Sequence, residues 1–276
     1  MTDRGRGGTG VVTTGRRATP DDIRRAERLA AAYGLPYVPR GAASIDRLAA
    51  ESGAVLVVGG DGVVLYMRGH TFRYHPGMGV SRIRMLRQGR QDWMVEAMGL
   101  RPGDHLLDAT LGIGSDLLVG SFVVGEGGRA VGLESEPLLA LVVREGMASY
   151  VHPVHAVTEA LRRIEVVAMP YQRYLEACPP GSFDVVYFDP LFDEPVPESR
   201  HMEPLRALAN PEPLSRASLE AARRAARRRV VVKDRRDGPY VRSGWFHRVV
   251  GGPRSRIAFC ILEVGGGDGR GGGEAR

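Results

Sequence analysis

Three short segments of this chain combine residue types that can do chemistry. The first is Leu107-Asp108-Ala109-Thr110-Leu111-Gly112-Ile113-Gly114-Ser115-Asp116, which leads from an apolar run into a second apolar run. Gly112 and Gly114 permit close backbone approach, and a helix starting there offers unpaired N–H groups. The spacing is G-x-G followed by Ser-Asp, without the third glycine of a dinucleotide fingerprint. Asp108 and Asp116 would repel a pyrophosphate but suit an amino group or a sulfonium. The second segment, Val131-Gly132-Leu133-Glu134-Ser135, ends on an acid. An acid at the end of the second strand of such a sheet can accept both hydroxyls of a ribose. The third, Phe183-Asp184-Val185-Val186-Tyr187-Phe188-Asp189-Pro190-Leu191-Phe192, is an apolar strand closed by Asp-Pro-x-aromatic. Pro190 fixes the backbone, so that Asp189 and Phe192 can face one cleft. An acceptor and an aromatic placed there suit an exocyclic NH₂ and the base that carries it. Attack by such an amine on a methyl sulfonium needs that orientation.

These segments need elements to position them. From about residue 91 the pattern is strand–helix–strand. Strands are expected at 105–109, 130–133, 164–169 and 183–188, and helices at 116–124, 136–150 and 213–227. Alternating units of this kind build a mostly parallel sheet covered by helices. Three final strands, at 229–232, 245–249 and 256–264, have no long helix between them and suggest an antiparallel C-terminal edge. Upstream, residues 11–78 read as a small N-terminal α+β domain. A strand at 11–14 precedes a helix opened by Thr19-Pro20-Asp21-Asp22 and stopped by Gly34. A helix over 44–52 follows, then a hairpin whose strands, 54–58 and 63–67, flank Gly59-Gly60-Asp61-Gly62. Arg68, His70, Arg73, His75, Arg82, Arg84, Arg87 and Arg90 form a basic stripe with Phe72 and Tyr74 interleaved. The second domain is assigned to residues 79–264. The Gly-rich tails, 1–10 and 265–276, cannot bury a core and are expected to be disordered.

Composition narrows the class. The 276 residues are 43% hydrophobic and 25% charged, as in a soluble globular protein. No apolar run approaches the roughly 18–20 residues that span a bilayer. No secretory h-region is visible at the start. Two distant cysteines, Cys178 and Cys260, form neither a disulfide framework nor a zinc site, so a reducing, cytoplasmic setting is the default. His152 and His155 flank Pro153, which argues for a loop, and no metal is expected. The net charge is +6, and Lys233 is the sole lysine among arginines. Basic flanks enclose an acidic middle, a distribution that suits a polyanionic partner. There is no Gly-x-Ser-x-Gly elbow and no Walker A sequence.

Taken in order, Asp108–Asp116, Glu134 and Asp189-Pro190-Leu191-Phe192 resemble a class I S-adenosylmethionine-dependent methyltransferase. Asp-Pro-x-Phe is similar to the signature of enzymes that methylate exocyclic amino groups of bases. More closely, residues 105–264 resemble the bacterial small-subunit ribosomal RNA guanine-N2 methyltransferases, through LDATLGIGSD, VYFDPLF and Arg229-Val230-Val231-Val232-Lys233. Phe72-Arg73-Tyr74-His75-Pro76 looks like an uncharacterised branch of methyltransferases in Gram-positive bacteria. The resemblance implies a Rossmann-like fold and S-adenosylmethionine as cofactor. It implies cofactor contacts at Asp108, Thr110, Gly112, Gly114, Ser115, Asp116, Glu134, Ser135, Tyr171 and Asp189, and a reacting centre at Asp189, Pro190 and Phe192. Lys233 is a candidate for contact with the target base or an RNA phosphate. The stripe at 68–90 and the Arg-rich stretch at 216–229 would hold the RNA, expected to be ribosomal RNA or the small subunit. The chain departs from the family at Pro170-Tyr171, at Thr110 and in the acidic segment 193–200. Two other functions fit parts of the pattern: a nicotinamide-dependent oxidoreductase, and a non-catalytic RNA-binding protein on the same scaffold.

Overall fold

The computed structural model describes residues 10–190 and 213–265. The two tails, Phe192 and the acidic segment 193–200 lie outside the described residues, apart from Gly10 and Gly265. Two sheets share the chain. The first contains β1 (Val11–Thr14), β2 (Ala54–Gly59), β3 (Gly62–Met67) and β4 (His70–Arg73), in that order. β1 and β2 are parallel, and the crossover between them carries α1 (Pro20–Tyr33) and α2 (Ile45–Ser52). The expected start of α1 is observed as a capping box: the Thr19 hydroxyl accepts from the Asp22 N–H, while the Asp22 carboxylate accepts from Thr19. The expected hairpin closes with Gly59 opposite Gly62.

β4 was not expected. Arg68 and Gly69 both take positive φ, at 51° and 76°, and turn the chain tightly from β3 into β4. Phe72 and Tyr74 are buried core residues and no part of a basic face. Their burial corrects the reading of an aromatic-laced stripe. A strand with one face in the core buries alternate residues, and here those are the aromatics.

After α3 (Gly79–Arg87) and α4 (Trp93–Met98), the second sheet is assembled from β5 (His105–Asp108), β6 (Arg129–Glu134), β7 (Ile164–Ala168), β8 (Phe183–Phe188), β9 (Ala226–Arg235), β10 (Arg248–Val250) and β11 (Ile257–Glu263). Their spatial order is β10-β11-β9-β8-β5-β6-β7. β5 pairs in parallel with both β6 and β8, which makes it the point where strand order reverses. β11 runs antiparallel to β9, the expected C-terminal edge. The helices are α5 (Ser115–Val124), α6 (Pro137–Ser149), α7 (His155–Arg162), α8 (Tyr171–Ala177), α9 (Arg216–Ala225) and α10 (Pro239–Arg242). The short helices α3, α4, α7 and α8 lie where the sequence suggested no element.

α6 joins the two sheets. Leu138, Leu139, Ala140, Leu141, Val142 and Val143 are buried without interruption, the pattern of a helix covered on all sides. Arg144 reaches both ways, donating to the Tyr33 hydroxyl at 3.0 Å and to the Val166 carbonyl. Gly146 lies so close to Tyr74 that a Cβ there would sit 2.2 Å from the Tyr74 Cβ. Gly146→Val is therefore expected to destabilise the protein by about 3 kcal/mol through overpacking. Gly59→Ala, which has open space, is expected to change stability by less than about 0.5 kcal/mol. Thermal and urea unfolding of both variants checks this.

Candidate active site

The three sequence segments converge at the carboxyl ends of β5, β6 and β8, where ligands bind in open α/β sheets. The turn after β5 is tied to both neighbouring strands. The Ala109 N–H donates to the Tyr187 carbonyl and the Leu111 N–H to the Leu133 carbonyl, each at 2.9 Å. The Asp108 carboxylate accepts from the Thr110 N–H at 3.0 Å. In turn the Thr110 hydroxyl accepts from the Asp189 N–H at 2.6 Å. Thr110, a departure from the family pattern, thus fixes the backbone at Asp189.

Gly112 and Gly114 take positive φ, 52° and 74°. A Cβ on Gly114 would meet the Met147 Cε at 2.3 Å and the Leu111 Cδ1 at 3.1 Å. Gly114 therefore serves the packing of the turn against α6, beside any ligand role. The Ser115 hydroxyl donates to the Pro76 carbonyl at 2.9 Å. A Cβ on Gly77 would sit 2.3 Å from the Ser115 Oγ. The segment around Pro76 and Gly77 is consequently clamped onto the first turn of α5.

Asp116 is the hub of a charged cluster. Its Oδ2 accepts from the Tyr187 hydroxyl at 2.7 Å and from the Lys233 ammonium at 3.2 Å. Its Oδ1 is paired with Arg82. Burial works against the charge, but Lys233 and Arg82 outweigh it and hold the Asp116 carboxyl well below the usual range. Lys233 also donates to Asp189 Oδ2 at 2.7 Å. Its ammonium is held by two carboxylates within the protein, and its pKa is raised because they outweigh the burial. Burial pushes the Asp189 carboxyl up despite Lys233, and pushes that of Asp108 up further.

Arg82 is the residue that the sequence placed elsewhere. Its guanidinium forks onto Asp92, with Nε at 2.8 Å from Oδ2 and Nη2 at 2.9 Å from Oδ1. Asp92 also caps α4, accepting from Met94 and Val95. Arg82 is thus an internal strut and not part of a surface stripe. No local signal marks it, because Asp116 lies on a different helix. Tyr187 was likewise missed, although with Asp184 it is one of only two polar side chains in β8. Arg224, Arg227, Arg228 and Arg229 from the Arg-rich stretch also bond within the protein, to Leu175, Asp184, Asp104 and Glu263 respectively.

Glu134 is buried at the end of β6. Burial pushes its carboxyl up to about 7, although the Glu136 and Gly112 backbones favour the charge. The Ser135 hydroxyl donates to Glu134 at 3.4 Å. Tyr171 begins α8 and packs edge-on against Phe188, with ring centroids 5.3 Å apart. Pro190 is half-buried just beyond Asp189. Among the described residues no group of three or more His, Cys, Asp or Glu could hold a metal ion, and no helix is long and apolar enough to cross a membrane.

Fold and site together define a class I S-adenosylmethionine-dependent methyltransferase. The donor set fits the cofactor: the buried Glu134 carboxyl has no cationic partner and suits a vicinal diol, beside the glycine turn that opens α5. Residues 74–256 match the family described as "Putative SAM-dependent methyltransferase", and the chain belongs to that family. It is 36% identical over 231 residues to the Bacillus subtilis "Uncharacterized protein YpiP", covering 83% of this chain and 90% of that one. It is 31% identical over 223 residues to the ribosomal RNA small subunit methyltransferase J of Dechloromonas aromatica, covering 75% and 87% respectively. In fold it is similar to the crystal structure of the S-adenosylmethionine-dependent methyltransferase NGO1261 from Neisseria gonorrhoeae. That likeness has a TM-score of 0.62 at 21% identity and covers 94% of this chain and 97% of that one. Family membership sets aside the nicotinamide reading.

Two outcomes follow from this geometry. Arg82→Met leaves Asp92 and Asp116 without their shared cation and is expected to cost about 3–5 kcal/mol of stability. Arg82→Lys should recover only part of it, since one ammonium cannot fork to both acids; urea unfolding reads both. If Glu134 holds the ribose, its carboxylate form must be the binding form. Affinity for S-adenosylmethionine should then rise between about pH 6 and pH 8, by at most roughly tenfold per unit. Glu134→Gln should bind more weakly and with a flat profile, as calorimetry would measure.

Proposed function

We propose that this methyltransferase acts on an exocyclic amino group of a nucleobase, and that the target is guanine N2 in ribosomal RNA. The observation that carries the reading is Asp189-Pro190 at the end of β8, with its carboxylate held by Lys233 at 2.7 Å. When bound, S-adenosylmethionine supplies an electrophilic methyl group on a sulfonium. The chain's own residues then have to present the amine. Asp189 accepts one amino N–H and so turns the nitrogen lone pair towards the methyl group. Lys233 fixes which way that carboxylate faces, acting inside the protein and not on an RNA phosphate. Thr110 fixes the backbone beneath it. Pro190 stiffens the exit from the strand, and Phe192, outside the described residues, is assigned by its spacing to stacking on the base.

The relationship to the Dechloromonas aromatica enzyme supports ribosomal RNA as the substrate class. The assignment of Asp108, Gly112, Glu134 and Ser135 to the cofactor is part of the same proposal, as is a cytoplasmic setting. For Ser115 and Asp116 the proposal is narrower. Their side chains are engaged with Pro76, Arg82, Tyr187 and Lys233, which leaves their backbone N–H groups at the helix start for the cofactor. Tyr171 is assigned to the wall beside the adenine.

Asp189→Ala is expected to lower transfer of a tritiated methyl group into unmodified small-subunit ribosomal RNA by at least about a hundredfold. Affinity for S-adenosylmethionine should stay within a few-fold of the parent. Unchanged turnover would remove Asp189 from the mechanism, and absence of transfer to any RNA by the parent would remove the substrate class.

A further inference from the structure

We propose, building on the reading of an RNA substrate, that Arg90, Trp93, Arg254 and Arg256 form the rim that grips the strand beside the target base. The sequence placed this role on the stripe from Arg68 to Arg90, with Phe72 and Tyr74 interleaved, and on the Arg-rich stretch at 216–229; Phe72, Tyr74 and Arg82 are committed to the interior, whereas Arg90 stays at the surface. Trp93 is different: 37% of it is exposed. It stands next to Asp92, whose partner Arg82 binds Asp116 in the site. Across from it lies the turn between β10 and β11. A Cβ on Gly252 would sit 2.9 Å from the Trp93 Nε1 and a little farther from its ring.

That turn is held in place. Arg236 donates to the Ser255 carbonyl at 2.9 Å and to the carbonyls of Gly251 and Gly252. The turn leads into β11, where Ala258 pairs with Asp234 and Phe259 with Lys233. The rim therefore lies at the carboxyl end of β9, beside the strand position that holds Asp189. Arg90, Arg254 and Arg256 are exposed. Their guanidinium groups make no hydrogen bond or ion pair among the described residues. The acids on the same elements offer little competition. Asp92 is taken by Arg82 and Asp237 by Arg235, which leaves Glu96 exposed on α4.

A half-exposed indole flanked by uncommitted guanidinium groups, on a fastened turn, has the chemistry of a single-stranded nucleic acid seat. Bases stack on the aromatic face, and phosphates meet the arginines. Arg224, Arg227, Arg228 and Arg229 do not serve this purpose, because they are already bonded to a carbonyl or carboxylates of the chain.

The test measures binding of the full chain to a fluorescent in vitro transcript of small-subunit ribosomal RNA across a salt series. The Arg254→Glu/Arg256→Glu variant is expected to bind about tenfold more weakly or worse. It should also flatten the dependence of log affinity on log salt by roughly two contacts. Trp93→Ala should bind about tenfold more weakly, and Trp93→Phe should retain most of the affinity. Unchanged affinity for S-adenosylmethionine and an unchanged melting temperature establish that each variant is folded. Variants that bind the transcript as the parent does overturn the rim and leave the substrate reading intact. A parent that neither binds nor methylates the transcript or total RNA overturns the substrate reading and the rim with it. Rim-dependent binding to assembled small subunits, with rim-independent binding to the bare transcript, would assign the surface to a protein contact instead.

Discussion

Much of this molecule depends on one largely enclosed carboxylate. Asp116 is shared by an arginine, a lysine and a tyrosine that come from three different elements. A charge withdrawn from water is tolerated only when its partners are complete. That requirement dictates where α3, β8 and β9 can stand relative to the first turn of α5. Arg82 in turn needs Asp92, and Asp92 caps α4. The order of the site is therefore inherited from a chain of satisfied charges. It does not rest on any one residue aimed at a ligand.

The consequence for chemistry is pre-organisation. Asp189 is fixed twice, through its backbone by Thr110 and through its carboxylate by Lys233. Orientation of this kind does not have to be regained each time a substrate arrives. Three carboxylates and two cations are packed closely enough that each sets the protonation of the next. The retained lysine in an arginine-rich chain has a physical reason. A compact ammonium can sit between two carboxylates that converge on it, where a planar fork would demand more room.

The sequence was legible where chemistry is local. The strand–turn–helix at Asp108–Asp116, the strand-end position of Glu134 and the Asp-Pro closure of β8 were all placed from spacing alone. The parallel sheet with a reversed edge was also apparent from the order of apolar runs. What could not be read was long-range pairing. Arg82 looked like its neighbours Arg84 and Arg87, and only the fold brings it to Asp116. Phe72 and Tyr74 looked like an interleaved nucleic-acid surface because the Arg68-Gly69 turn, which makes β4, places a bulky residue at positive φ. The packing of the Met147 side chain against Gly114 likewise left no mark in the local sequence. Short helices such as α4 and α8 offer too few turns for a period to emerge.

α6 covers the face of the first sheet, but it is encoded well after β4. During synthesis α1 can already cover β1 and β2, but the part of the sheet at β3 must leave the ribosome bare, and it stays so until Pro137–Ser149 has followed. Such a surface is prone to the wrong contacts while it waits. The chain between Arg73 and Pro137 sets the length of that exposed interval. Lengthening the intervening segment would extend the period in which the nascent chain depends on chaperones.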